Sequence, residues 1–131
     1  LVFYISCGLA AAATHVMVDP RSPVPTVGAS GAISGILGAY LVLYTRVRVR
    51  YFVFLFFVRF PAWVALLWWF ATQVLTGLPQ LNQVDPEVSG GVAVWAHVGG
   101  FVAGVLLVKL FENRSLVSRR TMVSDARGVW Q

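Results

Sequence analysis

The chain has 131 residues, of which 58% are hydrophobic and only 11% charged, with a mean hydropathy of +0.76. Soluble domains carry about a quarter charged residues, so too little polar surface is present to coat a water-soluble globule, and the bilayer is the expected solvent. The net charge of +5 does not point to nucleic acid, because the arginines fall between apolar segments, as positive-inside anchoring requires. Cys7 is the single cysteine, which permits no internal disulfide and leaves the redox compartment open. The chain opens on Leu1 inside an apolar run without a basic leader. That reads as the interior of a longer protein rather than a signal peptide.

Residues 1–18 are almost unbroken apolar sequence and approach the length of a bilayer span, giving the first helix. Pro20, Pro23 and Pro25 then enforce an extended connector. The second helix opens at Thr26 or Gly28 and runs to Thr45. Arg46-Val-Arg-Val-Arg50 follows, a topological marker that puts this end on the cytoplasmic side. Two readings compete for residues 51–60. One is a kinked helix through residues 51–76 that buries Arg59. The other, preferred, lays residues 47–60 along the interface and starts the third helix at Pro61, keeping Arg59 near the headgroups.

Residues 77–91 hold Asp85 and Glu87 and no basic residue, which suits an outward loop. Residues 92–111 form the fourth helix, with Lys109, Arg114, Arg119 and Arg120 at or beyond its end. Both ends of the chain then lie inside. Residues 1–112 constitute the membrane core, and the polar, aperiodic residues 113–131 are expected to be an unstructured cytoplasmic tail. The fold class is therefore all-α, a polytopic transmembrane helical bundle.

Two stretches carry possible chemistry. Gly28-Ala-Ser-Gly31 sets Ser30 between glycines at the mouth of helix two, with no Cβ crowding its hydroxyl. His97 stands near the start of helix four, and Gly100 and Gly104 continue its face at i+3 and i+7. Ser30, Ser34 and Gly38 form the matching stripe on helix two, and Gly31, Gly35 and Gly38 are small residues spaced to let a neighbouring helix pack tightly. Small residues on both helices would bring the axes close enough for a Ser30–His97 hydrogen bond, the pairing of a nucleophile with its general base. The backbone N–H of Ser30 or Gly31, at a helix N-terminus, could help hold an oxyanion. Against this, small-xxx-small patterns in membrane helices commonly serve packing alone. A histidine inside a membrane segment favours function. His15, at a helix end, reads as an interfacial residue. Trp63, Trp68, Trp69 and Trp95 read as interface anchors or packing, with Trp95 a candidate neighbour of His97. No His-Glu-x-x-His pair exists, and Cys7, His15 and His97 are scattered, so neither a metal nor another cofactor is implied.

Gly28-Ala-Ser-Gly31 resembles the Gly-x-Ser-Gly signature of rhomboid intramembrane serine proteases, and Ala96-His-Val-Gly-Gly100 resembles their histidine motif. Arg59-Phe-Pro-Ala-Trp63 and Trp69-Phe-Ala-Thr-Gln73 look like the intervening helix of bacterial members. The resemblance covers residues 1 to about 112. It implies the third to sixth helices of a six-helix core, with Ser30 as nucleophile and His97 as base in a dyad without an acidic third member. It further implies transmembrane protein substrates cut near the outer face of a bacterial plasma membrane, and helix three with residues 77–91 as gate and cap. Two departures stand out. The family's His-x-x-x-Asn oxyanion motif has no match here, so four helices alone are not expected to be active. Ser34 occupies the position where some members stack an aromatic on the histidine. The competing reading is a non-catalytic relative that binds membrane clients. Oligomeric state is not legible.

Overall fold

A computed structural model of the chain describes residues 1–20, 28–53, 55–81 and 93–112. The elements are α1 (Val2–Val18), α2 (Ser30–Leu43), β1 (Arg48–Val53), β2 (Phe56–Pro61), α3 (Ala62–Leu81) and α4 (Val94–Phe111). The expected connector beyond Pro20, most of the outward loop with Asp85 and Glu87, and the 113–131 tail lie outside the described residues.

Each apolar run becomes a helix because nothing in it breaks the backbone ladder, and the ends fall where chain chemistry changes. α1 stops at Asp19, whose N–H caps the His15 carbonyl, ahead of Pro20. α2 starts at Ser30, later than either expected opening, with the first ladder bond from Ile33 N–H to the Ala29 carbonyl. α3 runs on past Gly77, the expected boundary, to Leu81. Gly77 faces the indole of Trp95, where a Cβ would sit 3.1 Å from the ring. This glycine is a packing residue rather than a helix stop.

The largest correction concerns residues 48–61. The kinked helix is absent: ahead of α3, β1 and β2 pair antiparallel as a hairpin, Arg50 opposite Arg59 and Val53 opposite Phe56, so this stretch is separate from the third helix, as the preferred reading expects, but is built of paired strands. Arg48 and Arg50 therefore sit on a strand rather than in a loop. Their alternation with Val47 and Val49 is a period-2 pattern, and β-branched and aromatic residues fill the rest. Tyr51 stacks on Phe60 across the strands, centroids 4.6 Å apart. Leu55 takes φ 78° in the two-residue connection, a backbone region that β-hairpin turns use. The N–H of Ala62 donates to the Val47 carbonyl at 2.8 Å and ties the hairpin base to the start of α3. Pro61 ends β2, one residue before the helix it was expected to open.

The helices pack inside-out relative to a soluble protein. Most buried side chains are small, among them Cys7, Ala11, Ala32, Ser34, Ala39 and Ala96, with Phe101 a large exception, while Leu9, Met17, Trp68, Leu75, Leu106 and Leu110 stand exposed. A soluble core would bury those large groups; in lipid, association comes from close approach of small residues instead. α3 and α4 contain apolar windows long enough to cross a bilayer, and α1 and α2 are shorter apolar helices.

Contacts fix the relative directions. Gly31 approaches Ala96, Gly35 approaches Gly100, and Gly38 approaches Phe101, so α2 and α4 run parallel. Cys7 meets Gly35 and Ala11 meets Gly31, so α1 runs antiparallel to α2. Gly77 meets Trp95 while Phe70 stacks on Phe101, so α3 runs antiparallel to α4. The directions alternate along the chain. Ser30, His97 and the end of α1 consequently share one end of the bundle, and the hairpin and Lys109 share the other.

Candidate active site

Ser30 is the first residue of α2 and is exposed, and His97 lies in the first turn of α4, half-buried. Because the two helices are parallel and close, their first turns stand side by side. The Ser30 Oγ is 2.9 Å from the His97 Nε2. This closeness depends on backbone contact below the pair. A Cβ on Gly100 would collide with the Gly31 carbonyl oxygen, and one on Gly104 with the Gly35 carbonyl oxygen.

The remaining residues singled out in the sequence take distinct places. Gly28 has φ 139°, a conformation that side-chain-bearing residues rarely adopt, and it turns the chain into the Ala29 cap. A Cβ there would lie an ordinary 3.7 Å from the Ser30 Oγ, so backbone shape rather than space requires the glycine. Gly31 points into α1, where a Cβ would come within 2.6 Å of the Ala11 Cβ; it spares the interface rather than the hydroxyl. Ser34 is 2% exposed, and its hydroxyl donates to the Ser30 carbonyl at 2.8 Å. The closest approach to α4 runs through Gly31, Gly35 and Gly38, the small residues that the sequence spaces for a neighbouring helix, and only Gly38 of these belongs to the serine stripe. The N–H groups of Ser30 and Gly31 precede the first ladder bond of α2 and so remain outside its hydrogen-bond ladder.

Two residues of α3 meet His97, and neither was given a part in the chemistry on sequence grounds. The His97 Nδ1 lies 2.9 Å from the Gln73 Oε1. The Trp69 ring lies against the imidazole, centroids 5.9 Å apart at 40°, and also against Phe101. Trp69 and Gln73 are four residues apart and share a helix face. Ser34 stands where some rhomboids place an aromatic; here the ring beside the histidine comes from α3. The sequence did hold a signal for Gln73, since an amide in an apolar helix needs a partner. Trp95 sits over Gly77, and its buried Nε1 has no hydrogen-bond partner among the described residues. His15 lies in the last turn of α1. No group of three or more His, Cys, Asp or Glu that could hold a metal occurs among the described residues.

An alternating bundle with small residues inside and large apolar side chains outside is the build of an integral membrane protein. The Rhomboid domain family model matches residues 1–114, and the chain belongs to the rhomboid family, whose members are typically intramembrane serine proteases. No curated protein and no solved structure matches the chain significantly.

Proposed function

We propose that Ser30 and His97 are the nucleophile and general base of an intramembrane serine endopeptidase that cuts transmembrane protein substrates. The observation that carries this reading is the 2.9 Å approach of the Ser30 Oγ to the His97 Nε2 across two parallel helices. The Ser30 oxygen attacks the scissile carbonyl carbon while its proton passes to the His97 Nε2. The resulting oxyanion develops beside the N–H groups of Ser30 and Gly31, where the positive end of α2 favours negative charge. His97 then gives its proton to the leaving amine as the C–N bond breaks. A water, deprotonated by the same nitrogen, then attacks the acyl carbon, and His97 returns the proton to the Ser30 oxygen as the ester C–O bond breaks. Gly28 and Gly31 support this arrangement through the backbone, and Ser34, Gly35, Gly100 and Gly104 through packing.

The same reading assigns the end carrying Ser30 to the outer face of a bacterial plasma membrane and the arginine hairpin to the cytoplasm. Arg46, Arg48, Arg50 and Arg59 gather at one end of the bundle, as the positive-inside rule favours. Residues 113–131 would then form a cytoplasmic tail. The test is cleavage of a tagged single-span substrate by the full-length protein beside its Ser30→Ala and His97→Ala variants. Cutting that both substitutions abolish supports the protease. Undiminished cutting by Ser30→Ala overturns it, and client capture without cutting by the intact protein favours the binding relative.

A further inference from the structure

We propose that Gln73 is the positioning residue of this site. Its side-chain carbonyl accepts the Nδ1 proton of His97 and leaves Nε2 as the lone-pair nitrogen that faces Ser30. The proposal rests on the reading of Ser30 and His97 as nucleophile and base.

A neutral imidazole carries its proton on one nitrogen and its lone pair on the other, so the partner of one nitrogen dictates the role of the other. Each ring nitrogen of His97 has a partner 2.9 Å away on a different helix, Ser30 on α2 and Gln73 on α3. The Gln73 Oε1 can only accept, so the nitrogen it meets must be an N–H. The opposite tautomer would point an N–H at Ser30 and leave no base there.

Two further features fit this part. Among the described residues, the hydrogen-bond and ring partners of His97 are Ser30, Gln73 and Trp69, none of them charged. Trp69, one turn before Gln73, bounds the ring on another side. The imidazole is thereby held in both plane and tautomer by a single helix face.

The amide has a second orientation, with its NH2 toward Nδ1, which would invert the tautomer. Two substitutions separate the cases. Gln73→Met keeps the length and removes the hydrogen bond, while Gln73→Glu can only accept when ionised. The first readout is the imidazole 15N shift of His97 in full-length protein labelled at histidine, assigned by loss of the signal in His97→Ala. Wild type and Gln73→Glu are expected in the Nδ1–H form, and Gln73→Met in a mixture or the Nε2–H form. The second readout is cleavage. Gln73→Met is expected to lower kcat by about 10- to 100-fold with KM nearly unchanged, less than the ~10⁴ lost when a charged orienting carboxylate is neutralised in a serine protease. Gln73→Glu is expected to retain cutting, with the acid limb of its pH profile moved upward because a carboxylate stabilises the imidazolium.

An unchanged tautomer and unchanged kcat in Gln73→Met would overturn the proposal. So would an active Gln73→Met beside an inactive Gln73→Glu, since that pattern requires Gln73 to donate. Failure of the protease reading is seen separately, as cutting that survives Ser30→Ala. The 15N measurement still decides the part of Gln73 in that event.

Discussion

Gly35 and Gly104 meet backbone to backbone, the carbonyl oxygen of Gly35 filling the space that a Gly104 side chain would need. Gly31 and Gly100 repeat the contact one turn closer to the site. Ser30 and His97 lie just above this seam, so the spacing between α2 and α4 sets the distance between the two side chains. In lipid, where apolar burial no longer drives helices together, such contacts supply the close van der Waals packing that does.

Widening the seam should therefore impair stability and chemistry together. Gly100→Ala and Gly104→Val are expected to destabilise the fold by about 1–3 kcal/mol or more through overpacking. Cleavage should fall alongside, as the Ser30–His97 distance grows. Leu106→Ala, on the same helix but 69% exposed, should change stability by no more than about 0.5 kcal/mol. Thermal unfolding in detergent micelles, run with the cleavage assay, checks both expectations.

Adjacent tryptophans should behave differently. Trp69 touches His97 and Phe101, whereas Trp68 is 73% exposed toward the lipid side. Trp69→Ala is expected to cut turnover by about tenfold, through loss of the ring contact that bounds the base. Trp68→Ala should remain close to wild type. Equal effects at both positions would mean that the contact with His97 carries no weight.

The two ends of the bundle should label differently in intact cells. A cysteine replacing Asp19, at the Ser30 end, should react with an impermeant maleimide. One replacing Arg48, on the hairpin, should react only after permeabilisation. Cys7 is buried and should stay silent. The reverse pattern would invert the assigned topology.

Zinc chelators should leave cleavage unchanged. The proposed proton path from Ser30 to His97 needs no metal-bound water, and the described His, Cys, Asp and Glu residues form no group of three. Loss of activity that zinc restores would contradict this.

Apolar length made the four helices legible, and the resemblance of Gly28-Ala-Ser-Gly31 and Ala96-His-Val-Gly-Gly100 to known motifs pointed to the family, because both signals are local in sequence. Three features were not legible. The strand pairing of residues 48–61 was hidden because a short apolar run beside membrane helices can be read as part of a kinked helix or as an interfacial stretch, although Arg46, Arg48 and Arg50 carry a strand period. The extension of α3 past Gly77 was hidden because a glycine reads as a stop until the indole of Trp95 is seen against it. The contact of Gln73 with His97 was hidden because it joins residues 24 apart on different helices, and no local pattern encodes it.

The central claim is that His97 activates Ser30, and the most direct measurement is covalent labelling by a fluorophosphonate probe in native membranes. Attack by the Ser30 oxygen on phosphorus forms an O–P bond and expels fluoride, while His97 takes the hydroxyl proton. Mass spectrometry of the full-length protein should locate the adduct on the peptide containing Ser30, and His97→Ala should abolish it. An unlabelled Ser30, in membranes where other serine hydrolases react, would contradict the account, as would labelling that persists in His97→Ala.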